Sequence, residues 1–371
     1  MTDPGATDTS NDLAEPGGFP RPGAVPYLIV NGAHEALNWY TKVFGASVRG
    51  EPITMDDGRI GHAELTIGDG VIYLAEEFPE MGLTAPRTGT ASVSLMIPVD
   101  DPDLVLTRAR EAGGRVERWT YQSHGQRNAT LIDAFGHRWM LAAPIGGTLR
   151  HGDIAAITVS TPDLDRAAAF YRAVLGWEME PADGQLRVTN TSAAIFLEGG
   201  NDVSELRCRY AVRNLDDALT GVEASGGVWT RDGEIVACRG PHGIRFELAE
   251  ISGDESRPAI NGDGPGDPAY LTFEVVDLDE TQQFYRDVVG WEFEGSEERG
   301  GFEMVGIHPM CGLTRAPEDR IVPMWRVDDA SAAPDFITAA GGEVLAGPEV
   351  REYGVSAHCR DDQGGRFYLG S

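Results

Sequence analysis

No stretch of the 371-residue chain stays apolar for the roughly 18 residues that a membrane-crossing helix needs. Basic residues are scarce: 30 Lys and Arg stand against 59 Asp and Glu, for a net charge of −29. A surface of that sign repels phosphate backbones, so neither nucleic acid nor a membrane is the expected partner. Cysteine is scarcer still. Cys208, Cys238, Cys311 and Cys359 make no CxxC pair, and the chain does not open with a basic segment and an apolar core. Free thiols and a cytoplasmic location are therefore expected. GxSxG, a P-loop and a GxGxxG after a strand are all missing, and the Cys and His residues are scattered, so a Cys–His nucleophile pair has no support.

What the chain does have is a stretch used three times. AAAFYRAVLGW ends at Trp177, QQFYRDVVGW ends at Trp291, and LNWYTKVFGA is a looser copy ending at Ala46. In each, Tyr (Tyr40, Tyr171, Tyr285) is followed five residues later by Gly (Gly45, Gly176, Gly290). Ala36, Trp39, Tyr40, Val43 and Phe44 fall on one helical stripe, as do Ala167, Phe170, Tyr171, Val174 and Leu175. The glycine stands where a helix end needs a left-handed residue. Three further landmarks recur around each copy. A short apolar strand precedes it (26–30, 154–160, 269–276), and a second helix ends in Gly113–Gly114, Gly226–Gly227 or Gly341–Gly342. A closing strand follows a glycine turn, with Arg138, Arg245 or Arg366 two residues after the turn glycine. Self-similarity at this period means repeated supersecondary units. Each is expected to run strand, helix, two or three strands, helix, strand. The boundaries expected are a disordered tail over 1–24, module 1 over 25–146, module 2 over 153–250, a linker over 251–267 and module 3 over 268–371.

PDLDRAAAFYRAVLGW with PHGIRFEL, VDLDETQQFYRDVVGW with DQGGRFYL, and GAHEALNWYTKVFGA with DAFGHRWML resemble the vicinal oxygen chelate superfamily. That superfamily holds glyoxalase I, bleomycin-resistance proteins and extradiol dioxygenases. The resemblance implies an α+β fold of three tandem βαβββ modules, with paired modules forming a curved mixed sheet around a cleft. Modules 2 and 3 share Gly-Trp-Glu after the helix, at 176–178 and 290–292, and are expected to pair with each other. Module 1 is left over. An exposed sheet is a liability, so it is expected to pair with module 1 of a second chain in a homodimer.

The resemblance also says where a metal would be held: on the first and last strands. Those positions are Val25, Ala156 and Tyr270, then Met140, Glu247 and Tyr368, and only Glu247 is a good ligand. No cofactor is therefore expected in modules 2 and 3, and Glu247 reads equally as the partner of Arg245 or Arg366. In module 1, His62 and Glu64 lie two apart on a strand and face one side, with Ala63, Leu65 and Ile67 on the other. Three readings of that pair stay open: a general base with its orienting carboxylate, a pair of divalent-metal ligands, or a hydrogen-bonded surface pair. Strand alternation gives the rest of the cleft lining. Module 1 contributes Tyr27, Arg138 and Met140, with Tyr121, His124 and Arg127 from the loop YQSHGQRN at the rim. Modules 2 and 3 contribute Thr158, Arg245, Glu247, Tyr270, Thr272, Glu274, Arg366 and Tyr368. Tyrosines, hydroxyls and arginines suit a small organic molecule with a carboxylate or carbonyl. The expected function is metal-free binding of such a molecule. The alternatives are a lyase or isomerase with its site in module 1, and a regulatory or interaction role for modules 2 and 3.

Overall fold

Each Tyr–Gly stretch folds as a twelve-residue helix that ends on its glycine, at φ +67° for Gly45 and +68° for both Gly176 and Gly290. A left-handed residue is needed there because the glycine N–H turns back to a carbonyl of the last turn. Two of the three helices start on an aspartate. Asp163 and Asp277 each accept the N–H three residues on. The module 1 helix has no such cap, and Glu76 from a neighbouring strand accepts the N–H groups of Gly32 and Ala33 instead.

The structure, a computed structural model, describes residues 24–87, 91–231, 233–253, 255–351 and 354–371. The tail expected over 1–24 lies, but for its last residue, outside the described residues. Module 1 runs β1 (Tyr27–Val30), α1 (Ala33–Phe44), β2 (Ser47–Thr54), β3 (Ile60–Ile67), β4 (Gly70–Glu76), β5 (Ser94–Pro98), α2 (Pro102–Glu111), β6 (Arg115–Ser123), β7 (Gln126–Ile132) and β8 (Arg138–Pro144). Module 2 runs β9 (Ile154–Ser160), α3 (Leu164–Leu175), β10 (Met179–Ala182), β11 (Gln185–Val188), β12 (Ile195–Glu198), β13 (Glu205–Val212), α4 (Leu215–Ala224), β14 (Val228–Arg231), β15 (Ile235–Arg239) and β16 (Arg245–Glu250). Module 3 runs β17 (Pro268–Val275), α5 (Leu278–Val289), β18 (Phe293–Ser296), β19 (Gly301–Met304), β20 (Cys311–Arg315), β21 (Arg320–Arg326), α6 (Ala333–Ala339), β22 (Glu343–Arg351), β23 (Gly354–Arg360) and β24 (Arg366–Gly370). The α+β class and the three tandem modules stand. Each module is βαβββ twice over, a first and a second half, which the expected strand and helix count did not separate.

The halves join differently in the modules. In module 2, β9 and β13 pair antiparallel and fuse both halves into one eight-stranded sheet, β10-β11-β12-β9-β13-β16-β15-β14. Module 3 repeats this through β17 and β21. Module 1 has two four-stranded sheets, β1-β4-β3-β2 and β5-β8-β7-β6. The described chain falls into two units: residues up to Pro98 with Leu104–Arg118 and Thr130–Leu141, and the remainder.

In the first unit, α1 packs on the second half of its own module. Tyr40 donates to Asp133 Oδ2 at 2.6 Å, Trp139 Nε1 to the same oxygen at 2.8 Å, and Trp39 Nε1 to the Ala112 carbonyl at 2.9 Å. In the second unit the packing is exchanged between modules. Tyr171 of α3 donates to Asp361 of module 3 at 2.9 Å, while Tyr285 of α5 meets Tyr210 and stacks on His242, both of module 2. Trp177 Nε1 donates to the Gly266 carbonyl and Trp291 Nε1 to that of Gly152. Both acceptor residues have positive φ, and a Cβ on either would press on the indole, so the close approach requires glycine. One core therefore serves modules 2 and 3.

The stretch expected as a linker carries a buried charge cluster. Arg257 is 4% exposed and forks between Asp103 (2.7 Å) and Asp153 (2.8 and 2.9 Å), and Arg150 reaches Asp101 and Asp103. Buried His308 completes the cluster. Its Nδ1 donates to the Pro258 carbonyl, which leaves Nε2 bare at 3.7 Å from Asp103. Burial, then the charge of Arg257, pushes the imidazole down to about 3. Burial would raise Asp103, but Arg257, His308 and Arg150 outweigh it and hold the carboxyl at about 2.

Because the unfolded chain protonates His308 near its ordinary 6.5 and the fold resists until about 3, the unfolded state binds more protons in between. Stability contributed by the neutral imidazole is then lost as pH falls from 6.5. Asp103 loses its contribution only lower, as pH falls towards 2. Urea unfolding between pH 6.5 and 4 is expected to show falling stability. His308→Asn, which can still donate to Pro258, is expected to flatten that slope by up to about 1.4 kcal/mol per pH unit. An unchanged slope would remove His308 from the account.

Candidate functional site

The period of two in β3 sorts its side chains as expected. Ala63, Leu65 and Ile67 are buried, and His62 and Glu64 stand on the open side. The register of β1, β4 and β3 sets Tyr27 beside Tyr73 and Tyr73 beside Glu64. Tyr27 Oη lies 2.8 Å from His62 Nδ1, and His62 Nε2 lies 3.8 Å from Glu64 Oε1. The rings of Tyr27 and Tyr73 lie 5.6 and 4.9 Å from that of His62 and 5.7 Å from each other. Burial, then the neighbouring Tyr73, raises the Tyr27 phenol, so it stays a neutral hydroxyl. The imidazole thus has a hydroxyl on one nitrogen and a carboxylate near the other, a set able to move a proton or to hold a polar ring substituent.

Tyr27 also lines a cavity of about 540 Å³ that includes His137 and Arg138. Arg138 is tied to Glu117 (2.8 Å) and Ser94 (2.6 Å). Tyr121 and Arg127 belong to the second unit. Arg127 is buried and bound to the carbonyls of Pro144 and Asp100, a structural brace between strand ends.

On the module 2 sheet, Thr158 is buried between Phe196 and Arg207 in register. Glu247 is bound by both Nε and Nη2 of Arg209, each at 2.8 Å. The expected partners were Arg245 or Arg366. The register places Arg209 beside Glu247, whereas Arg245, two residues earlier on β16, reaches Glu205. In module 3, Glu274 is bound by Arg320 at 2.6 Å, and Thr272 pairs in register with Gly312. Tyr270 covers Gly312 so closely that a Cβ there would strike the phenol. Tyr368 stacks on His358 with 4.4 Å between ring centroids, and burial lowers that imidazole. Arg245 and Arg366 come together along a second cavity of about 440 Å³, with Arg320 and Arg360. Sequence reasoning missed Tyr73, Arg209, Arg320 and His358. All four lie on strands other than the first and last of a module, and alternation carried across every strand would have found them.

Residues 24–141 match the Glyoxalase/Bleomycin resistance protein/Dioxygenase superfamily model, and residues 158–186 match the Bleomycin resistance protein-like N-terminal model. The uncharacterised protein Rv0887c of Mycobacterium tuberculosis is 32% identical over 129 residues, 33% of this chain and 75% of its own. An uncharacterised protein of Mycobacterium bovis, Mb0911c, is 32% identical over 129 residues, 33% of this chain and 84% of its own. The chain belongs to the glyoxalase/bleomycin resistance protein/dioxygenase superfamily. Among solved structures it is similar to the Mn(II)-bound glyoxalase from Novosphingobium aromaticivorans, with a TM-score of 0.46, 15% identity, and 59% of this chain and 82% of that one covered. It is also similar to the 2,3-dioxygenase LapB from Pseudomonas sp. KL28, with a TM-score of 0.44, 16% identity, and 60% and 92% covered.

For this superfamily member the donor sets fall short of a divalent ion. Among the described residues no three His, Cys, Asp or Glu side chains are grouped to hold one. In module 2, Glu247 already has a cation on it, the guanidinium of Arg209. Module 1 offers two donors, His62 and Glu64, where a closed protein site uses three or four. The four cysteines are buried and unbridged, and burial raises every thiol, Cys238 and Cys359 to about 12, so none is a nucleophile.

Arg209→Met would leave the Glu247 carboxylate largely buried without its partner. A loss of about 1–3 kcal/mol is expected in urea unfolding. The double variant Arg209→Met/Glu247→Leu should recover most of it, and a double variant no better than the single would show that the pair does not act as a unit.

Proposed function

We propose that this superfamily member binds a small, planar organic molecule without a metal, on the open face of module 1. The observation that carries the reading is the arrangement of Tyr27, His62, Tyr73 and Glu64. Two tyrosine rings flank the imidazole on a sheet face, Glu64 lies 3.8 Å from its Nε2, and Tyr27 also lines a cavity. Aromatic walls with a few convergent polar groups are what such ligands require. The contrast with modules 2 and 3 supports the choice, because there the sheet faces are crossed by Arg209–Glu247, Arg207–Glu198 and Arg320–Glu274. A ligand entering those faces would have to break charge pairs. That contrast equally favours a supporting or regulatory role for modules 2 and 3.

One observation favours an enzymatic version of the same site. His62 sits between a neutral phenol and a carboxylate, so it can take a proton at Nε2 while Glu64 steadies the resulting cation. A lyase or isomerase acting next to a carbonyl needs such a group.

The test uses full-length protein stripped of metal by chelator and checked by elemental mass spectrometry. Thermal shift against aromatic and small carbonyl compounds is expected to find a ligand. Tyr27→Ala is expected to weaken it about tenfold, which is about 1.4 kcal/mol. If turnover accompanies binding, His62→Ala should abolish turnover while weakening binding far less. Stoichiometric metal that is needed for binding would overturn the metal-free reading.

A further inference from the structure

The cavity of about 440 Å³ between modules 2 and 3 has its walls on the core side of their sheets, away from the open faces where a cleft was expected. Val159, Leu206, Ile321 and Trp325 line it, and all four belong to the shared core. Alternation turns Thr158 and Arg207, the strand neighbours of Val159 and Leu206, to the other face. Exposed Val203 and Arg366 stand at the mouth, and buried Tyr171 and Trp325 lie at depth. The size suits a small molecule, whose sites span roughly 300–1,000 Å³. Two polar groups at this cavity lack a partner. Trp325 is fully buried, and neither its Nε1 N–H nor Ser204 Oγ makes a hydrogen bond among the described residues. The repeat shows what the indole has lost. Tyr210 holds the same place in module 2, beside Leu248 of the closing strand as Trp325 is beside Leu369, and its hydroxyl meets that of Tyr285. Tyr171, the counterpart of Tyr285, donates to Asp361 instead. A buried donor without an acceptor is costly, so the indole marks a place for one.

Charge at the lining selects the sign of the ligand. Each lining carboxylate already has a donor: Glu205 holds Arg245, Glu318 holds Arg320, Asp319 accepts the Val276 N–H, and Asp361 accepts the Tyr171 hydroxyl. The arginines are not all committed. Arg245, Arg320 and Arg360 are paired with Glu205, Glu274 and Glu343, whereas Arg366 is paired with no carboxylate among the described residues. We propose that this cavity binds a small organic carboxylate. The carboxylate lies on Arg366 at the mouth, the apolar body lies against Val159, Ile321 and Trp325, and one acceptor in that body takes the Trp325 N–H. The site is separate from the open face of module 1 and does not rest on the function proposed above. It gives modules 2 and 3 a ligand of their own.

Calorimetric titration of the full chain with 3-benzoylpropanoate and with 4-phenylbutanoate tests the site. The two acids differ only in a ketone oxygen where the other has a methylene. Both are expected to bind, the keto acid about tenfold more tightly. Arg366→Met is expected to weaken both about tenfold, and Val203→Glu, which adds a carboxylate at the exposed mouth, to weaken both as well. Trp325→Phe keeps a ring and removes the N–H. It is expected to bring the two acids within about twofold of each other while leaving 4-phenylbutanoate nearly unchanged, a loss of discrimination that a merely structural role would not produce. Circular dichroism checks the fold of each variant, and if Trp325→Phe does not fold, the two mouth variants still decide. No binding of either acid at concentrations on the order of 10 mM overturns the site, as do affinities that neither mouth variant changes. Equal binding of the two acids by the unaltered chain overturns the role of the indole. Inorganic phosphate bound as tightly as the acids overturns the carboxylate class and leaves a bare anion site.

Discussion

A first strand with a free edge is the constraint from which this architecture follows. Unpaired N–H and C=O groups along a strand are a standing invitation to another strand. A βαβββ half cannot cover its own edge, because its helix covers the face and its remaining strands lie on the other side. Modules 2 and 3 solve the problem inside each module and then exchange their helix faces, so neither folds against itself alone. The aromatic hydrogen bonds are spaced to match. Trp177 to Gly266 and Trp291 to Gly152 are the same contact made twice in opposite directions. Losing either module would uncover the face of the other.

The helices and the tandem repeat were legible because their signals are local. A 3.6-residue stripe and a left-handed glycine are set by the backbone of a dozen residues. The second halves were harder. One of their strands, β14, is four residues long and exposed throughout, so no alternation stands out there. Composition showed only part of what 251–267 does. Gly, Pro and Asp read as a linker, and within it Arg257 sits on two buried aspartates, a partnership across 154 and 104 residues that no window can display.

For the candidate site, His62 and Glu64 were legible from a period of two, and their company was not. Tyr73 joins them through strand register, which depends on how β1, β4 and β3 align. Arg127 shows the opposite limit. A loop arginine beside a histidine reads as a rim cation, but its long side chain turns inward to two carbonyls. The pairing of Glu247 with Arg209 likewise turns on register: neighbours on parallel β13 and β16 meet, and the arginine nearer in sequence does not.

The same fold position therefore carries different chemistry in different modules. Glu247 is the one good carboxylate ligand that survives at a first- or last-strand position, and an arginine holds it. Replacing a metal by a guanidinium keeps the carboxylate charged and the sheet face satisfied, and it removes the open coordination positions that substrate oxygens would use. In module 1 the Arg138–Glu117 pair lies on the second half, and among the described residues no guanidinium is bound to the group formed by Tyr27, His62, Tyr73 and Glu64. Its rings and its imidazole are bound to each other only through one hydroxyl contact, which a ligand can displace at little cost compared with breaking a charge pair. In a chain with twice as many acidic as basic groups, arginines that could greet an anion are mostly committed to carboxylates already. Under the function proposed above, that commitment would direct a ligand to the aromatic face, where affinity would come from ring contact and from one or two hydrogen bonds.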